Sequence, residues 1–211
     1  STRQKKQEGD YWDSFLNLDL DFDKRNQKYQ TSSGFRSYYS LDLPVISETN
    51  TLKNQYRYKY YTELYEKNIS SFSVFLESAN SVSNKDVKLS ERVNIPSNRL
   101  RGFEAGRVGP KDGEDFIGGN YAYAFNFAST LPQILENSQS ADFMFFIDVA
   151  NIWGVDYDSS LNNSDNIRSS FGIALDWFTP IGPLNFSFAH PILKEKTDKT
   201  ETFRFNLGTT F

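Results

Sequence analysis

Cysteine is absent from the 211 residues. Its absence excludes a disulfide scaffold, thiol chemistry and cysteine-ligated zinc, and leaves the compartment open. Histidine occurs once, at His190. No second imidazole exists to complete a metal site or an acid–base pair, so a surface or interface role is the simpler reading. Excess positive charge is also missing: a net charge of −4 and a pI of about 5.1 provide no field for nucleic acid. The chain lacks any run of about 18 apolar residues, which excludes a transmembrane helix. A membrane is not thereby excluded, because barrel strands carry a weaker, alternating signal.

Catalytic and metal patterns fail for stated reasons. Asp19, Asp21 and Asp23 are spaced by two and share one strand face, without the glycine and closing glutamate of an EF-hand loop. The stretch Gly102–Gly109 fits neither a P-loop nor a dinucleotide fingerprint. A Ser-His-Asp triad would have to use His190, next to Pro191 in a segment read as a loop. The sequence therefore implies no enzyme, no metal and no cofactor.

Aromatic residues are abundant. They make up 16% of the chain, while mean hydropathy is only −0.59. Disorder would deplete aromatics, whereas strands with one apolar and one polar face combine both properties. Ser1-Thr2-Arg3-Gln4-Lys5-Lys6 opens without an initiator methionine or signal peptide, so the start reads as truncated or processed, and residues 1–10 as a frayed end.

From Phe15 the pattern has period two. Leu16, Leu18, Leu20 and Phe22 oppose Asn17, Asp19, Asp21 and Asp23. Similar alternation runs from Phe35 to Leu43, ended by Pro44, then from Tyr56 to Leu64, and from Ser71 to Glu77 across a tight turn at Glu66-Lys67-Asn68. It sharpens after Gly118-Gly119-Asn120, in Tyr121–Ala128, Phe143–Ala150, Ser170–Trp177, Leu184–Ala189 and Phe203–Phe211. About nine antiparallel strands result. Their apolar faces are large and aromatic, and the opposite faces carry Gly, Ala, Ser and Asn, as a lumen requires. Connections after residue 150 alternate between long and short, and aromatics stand near strand ends (Tyr121, Trp153, Trp177, Phe211). These are outer-membrane barrel traits. About nine strands are too few to enclose a lumen, so several N-terminal strands are expected to lie outside this chain.

One stretch breaks the pattern: residues 84–117, a polar loop with Gly102, Gly106, Gly109, Gly113 and Pro110. A structureless connection of about 30 residues is too long for an ordinary compact domain. It reads as a loop that folds onto something, with Arg101 at its tip.

Seven motifs stand in order: Arg99-Leu100-Arg101-Gly102-Phe103; Val108-Gly109-Pro110; Ile117-Gly118-Gly119-Asn120; Phe146-Ile147-Asp148; Ile167-Arg168-Ser169-Ser170 with Gly172; Pro180-Ile181-Gly182-Pro183-Leu184; and Phe203-Arg204-Phe205-Asn206-Leu207-Gly208 with Phe211. Together they resemble the carboxy-terminal part of the barrel of BamA-like outer-membrane protein assembly factors, most strongly over residues 99–211. The resemblance implies an all-β, antiparallel transmembrane barrel of about sixteen strands, of which this chain holds about nine. Residues 1–211 would be the carboxy-terminal part of one barrel domain, with 84–117 folded into the lumen and the periplasmic POTRA domains absent from this chain.

It further implies insertion and folding of outer-membrane proteins by strand templating at a lateral seam. Partners would be nascent outer-membrane proteins, assembly-machinery lipoproteins and the bilayer. Arg101, Gly102 and Phe103 would anchor the loop at Asp148. Phe203, Phe205, Leu207, Gly208 and Phe211 would form one side of the seam. Two departures stand out: Ala150 replaces a frequent glycine, and Ala128 occupies a place where the family often has glutamate, so the lock would use one carboxylate. The alternatives are a two-partner-secretion type polypeptide transporter, a passive porin, and a soluble lectin-like sandwich.

Overall fold

A computed structural model describes residues 7, 9–28, 30–131, 140–161, 166–180 and 182–207. Eleven strands follow in chain order: β1 (Asp13–Asp23), β2 (Gly34–Ser47), β3 (Thr51–Tyr65), β4 (Asn68–Ser81), β5 (Lys111–Asp112), β6 (Asp115–Phe116), β7 (Tyr121–Thr130), β8 (Ala141–Trp153), β9 (Arg168–Thr179), β10 (Gly182–Leu193) and β11 (Phe203–Leu207). β5 and β6 form a small hairpin. The other nine make one antiparallel sheet in sequence order.

Strict alternation gives the sheet two unlike faces. The register aligns Leu18 with Leu41, Phe72 with Phe127, Phe125 with Val149, and Phe186 with Phe205. Aromatic rings meet across these strands: the Phe188 and Phe203 centroids are 4.8 Å apart, and those of Phe186 and Phe205 5.1 Å. Such cross-strand pairs are the unit of sheet stabilisation. Yet this face is bare. Leu18, Phe22, Phe72, Ile147, Phe171, Trp177 and Phe203 are all exposed. An apolar face of this extent, with no second sheet covering it among the described residues, is suited to lipid and not to water.

The core lies on the inner face, between sheet and loop. Val87, Val93, Ile95, Leu100, Phe103 and Val108 of the loop form one buried cluster with Phe75, Ala79, Ala122, Ala124, Ala150 and Ile152 of β4, β7 and β8. Small wall side chains let the loop backbone approach. The loop is not structureless, contrary to what its composition suggests. It holds a single 3-10 turn at Leu89–Glu91, the β5–β6 hairpin, and a bridge from Val93 to Gly119. Strand period cannot reveal such pieces, because each is only two or three residues long.

Three further expectations change. Pro44 does not end β2, and His190-Pro191 lies inside β10 rather than in a loop. Both prolines sit beside register shifts, so the missing N–H falls where the ladder is already interrupted. Thr51–Asn54 belongs to β3, because a wet inner face accepts polar residues in a strand. Connection lengths keep the expected long–short–long order after residue 150, whereas earlier in the chain residues 48–50, a short link, lie on the same side as the long loop, and 24–33 on the other.

Candidate functional site: the anchored inner loop

Arg101 fastens the loop to the wall at Asp148. Its Nε donates to Asp148 Oδ2 at 2.8 Å and its Nη2 to Asp148 Oδ1 at 2.8 Å, a two-pronged fork. Its backbone N–H donates to the same Oδ2 at 3.0 Å. Asn126 on β7 stands directly opposite Asp148 on β8 and donates to Oδ1 at 2.9 Å. Four N–H donors therefore fill the roughly four lone-pair sites of this carboxylate, and Asp148 is fully buried. A buried carboxylate is tolerated only when paired and hydrogen-bonded to this degree.

The neighbourhood is shaped to that fork. The guanidinium carbon lies 3.4 Å from the centroid of the Phe146 ring, a close cation–π stack. Ser170 Oγ donates to the Arg101 carbonyl, and Asn126 Nδ2 to the Arg99 carbonyl at 2.8 Å. Gly102 has a φ of +90°, and a Cβ there would sit 3.2 Å from Ala189 Cβ and 3.3 Å from Ser170 Cβ. A side chain at 102 would lift the loop off the wall. Burial, followed by the charge of Arg57, lowers the Arg99 guanidinium pKa from its ordinary value.

A second anchor holds the start of the loop. Buried Arg92 pairs with Asp156, and its Nη1 donates to Asn120 Oδ1 at 2.8 Å. Val87 N–H donates to Asp156 Oδ2 at 2.6 Å. Partial burial pushes the Asp156 carboxyl up, but the Val87 N–H and Arg92 outweigh it, so its pKa falls below the ordinary value. A third is the fully buried pair Arg168–Asp198, joined through Nε at 3.0 Å and Nη2 at 3.1 Å. Toward the 180–181 turn an open cavity of about 920 Å³ remains, lined by Lys59, Arg99, Arg101, Asp176 and Arg204 among others.

The whole chain, residues 1–211, matches the model of the Omp85 superfamily domain. The chain belongs to the Omp85 superfamily. Among curated Omp85-type relatives it is 27% identical over 140 residues to the outer membrane protein assembly factor BamA of Neisseria meningitidis, covering 53% of this chain and 17% of that protein. It is 32% identical over 117 residues to BamA of Neorickettsia risticii, covering 54% and 16%. A SAM50-like protein of Schizosaccharomyces pombe is 30% identical over 137 residues, covering 61% and 28%. The crystal structure of BamA from Haemophilus ducreyi lacking POTRA domains 1–3 superposes with a TM-score of 0.83 at 25% identity, covering 90% of this chain and 41% of that one. The chain thus spans about a sixth of the first two curated relatives' length. The nine strands are part of an integral outer-membrane β-barrel, and the bare apolar face is its lipid-facing side.

Within this Omp85 wall, Arg101, Gly102 and Asp148 come together, while Phe103 is buried in the cluster and bridges to Thr200. Phe203, Phe205 and Leu207 sit exposed on the outer face of β11, and Gly208 and Phe211 lie outside the described residues. Ala128 pairs with Phe146, and Asn126 is the residue across from Asp148. Ala150 is fully buried beneath the loop. Sequence reasoning missed Phe146 and Phe75. Both break parity, as large aromatics on the small-residue face, and each lies under an arginine of the loop: Arg101 over Phe146, Arg99 over Phe75 at 5.9 Å. That misfit was the available signal.

Proposed function

We propose that this barrel wall belongs to an assembly factor that inserts and folds outer-membrane proteins, working through its strands and not through covalent chemistry. Residues 84–117 occupy the lumen as a docked plug, with Arg101, Gly102 and Phe103 as the lock and Asp148 as its receptor. β11 forms one side of a lateral seam. Among the described strands it pairs with β10; as a seam strand its other edge would offer N–H and C=O groups to template a client strand. Nascent outer-membrane proteins are the clients, with assembly lipoproteins as accessory partners.

The observation that carries this reading is the saturated Asp148 carboxylate: four donors and a stacked ring converge on one loop residue. The names of the curated relatives support the assembly role. The test is Arg101→Ala in the protein assembled in its outer membrane. The expected result is a lower melting temperature for the heat-modifiable barrel band and slower client assembly, with strand content retained by circular dichroism. Unchanged melting and full complementation of a depleted strain would overturn it.

A further inference from the structure

β11 has a second support besides its ladder with β10, and it comes from the loop. Among the described residues the ladder runs from Leu184–Leu207 to Phe188–Phe203. Arg204 projects from β11 on the inner face, in register with Ser187. Its Nη1 donates to the Ser97 carbonyl and its Nη2 to the Phe103 carbonyl. Nε and Nη2 also donate to Glu201 Oε2, at 3.0 and 2.7 Å. Ser97 and Phe103 bracket the arc that contains Arg99 and Arg101. One side chain of the edge strand therefore clasps both ends of the locking motif, and Glu201 fixes its orientation.

The backbone leading into β11 is joined to the same arc. Glu201 N–H donates to the Gly102 carbonyl at 3.1 Å, Glu104 N–H to Lys199 at 3.0 Å, and Lys199 N–H to Arg107 at 3.0 Å. Asp198 caps this short zipper. It accepts the Arg168 fork and the Glu195 N–H at 2.7 Å, and the Gly109 N–H at 3.4 Å. Loop and edge strand are thus hydrogen-bonded to each other along residues 97–109 and 198–204.

We infer that Arg204 is a positioning residue that latches β11 to the inner loop, so that docking of the loop at Asp148 and immobility of the edge strand are one coupled state. The physics is local. A strand at a seam frays more easily than one inside a sheet, because its pairing on the seam side is the weaker one. Charge-assisted hydrogen bonds to two loop carbonyls raise the cost of that fraying, and they are lost together if the loop lifts. Release of Arg101 from Asp148 would then loosen β11, some distance along the sheet from the broken contact. The consequence for clients, a seam that opens when the loop moves, rests on the proposed role of β11 as a seam strand. The latch itself does not.

The test is amide hydrogen exchange, read by mass spectrometry on the assembled protein in lipid nanodiscs. Arg204→Met keeps the side-chain bulk and removes every donor. Exchange over residues 203–207 is expected to rise about tenfold, the scale of losing charge-assisted bonds, with 121–130 and 141–153 unchanged. Arg101→Ala is expected to raise the same 203–207 signal, and the double variant to add little beyond either single one, since both break one unit. Unmoved exchange at 203–207, an equal rise across all strands, or fully additive effects would each overturn the latch. Should Arg204→Met fail to assemble, Glu201→Gln removes only the brace. A rise of a few-fold confined to 203–207 then supports the latch, and an unmoved or sheet-wide signal overturns it. Client assembly measured in parallel separates the two claims. Faster β11 exchange with normal assembly upholds the latch and defeats the seam role.

Discussion

Two of the arginine–carboxylate forks on the inner face of the sheet have nearly the same geometry and opposite surroundings. In the β1–β2 region, Arg36 Nε and Nη2 reach Asp21 at 3.0 and 2.8 Å, with the two side chains 39% and 43% exposed. Under the loop, Arg101 makes 2.8 Å contacts to Asp148, with exposures of 14% and 0%. Geometry alone would rank them equal. The difference lies in what else surrounds each. The inner face of β1–β3 carries long side chains that pair with one another in water, such as Tyr38, Arg57 and Lys59. The inner face of β4–β10 carries Ala124, Ala150, Gly172 and Ser170, and the loop fills the space they leave. The size of inner-face residues thus reports where the loop lies, and burial decides which fork holds it.

The sharpest way to break this comparison is Asp148→Asn. It removes the charge that compensates Arg101 and leaves the guanidinium poorly matched against a fully buried amide. Breaking one side of a buried pair costs about 3–5 kcal/mol. Thermal unfolding followed by gel mobility should show a large drop in midpoint, with strand content intact below it. A drop no larger than that from Asp21→Asn would mean that burial does not distinguish the two forks.

Next in size is volume. Ala150 has no exposed surface and lies in the cluster beneath the loop. Ala150→Leu should force the loop outward at about 1–3 kcal/mol, the usual scale of overpacking. Ser40→Leu, on the half-buried inner face of β2, should stay within about 0.5 kcal/mol. Paired melting curves of the two variants test the claim that only one half of the wall is covered.

A smaller effect should come from acid. Asp156 lies outside the strands, and its pKa is lowered by the Val87 N–H and Arg92 against the opposing effect of burial. A carboxyl with a depressed folded pKa contributes stability above the ordinary aspartate range, about pH 4, and loses it as pH falls through that range toward the lowered value. The Arg92–Asp156 anchor should therefore be fully present at neutral pH and weaken below about pH 4. Asp156→Asn should flatten the acid limb of the melting profile. An unchanged limb would assign the acid sensitivity to other groups.

How much of this was legible in the chain follows from the same physics. Strand alternation is written in a short period, so nine strands and their outer faces could be read directly, as could Arg101 and Asp148 through parity and motif. The strand ends could not. Lys53 and Gln55 belong to β3 although nothing apolar marks them, because a wet lumen sets no hydrophobic requirement. Pro44 looked like a terminator and Pro191 like part of a loop, and only the register shows the interruptions that accommodate them. The partners Asn126, Arg204 and Asp198 were invisible for another reason. Cross-strand register and loop docking bring them to their targets from 22 to 107 residues away, and no local period encodes that separation.

The smallest effect belongs to the fork that looks just as good. Asp21→Asn on β1 removes a charge partner from Arg36, but both groups keep water as an alternative. Exposed pairs typically contribute about 0–1 kcal/mol, and high salt erases most of that. The melting temperature should shift by little at low ionic strength and by nothing measurable at about 1 M salt, where the screening length is roughly 3 Å. Asp148→Asn should keep most of its effect at the same salt, because no ions reach a carboxylate sealed between Asn126, Phe146 and the loop. A salt titration of the two variants therefore separates burial from geometry more cleanly than either mutation alone: parallel curves would show that the loop does not seal its own anchor.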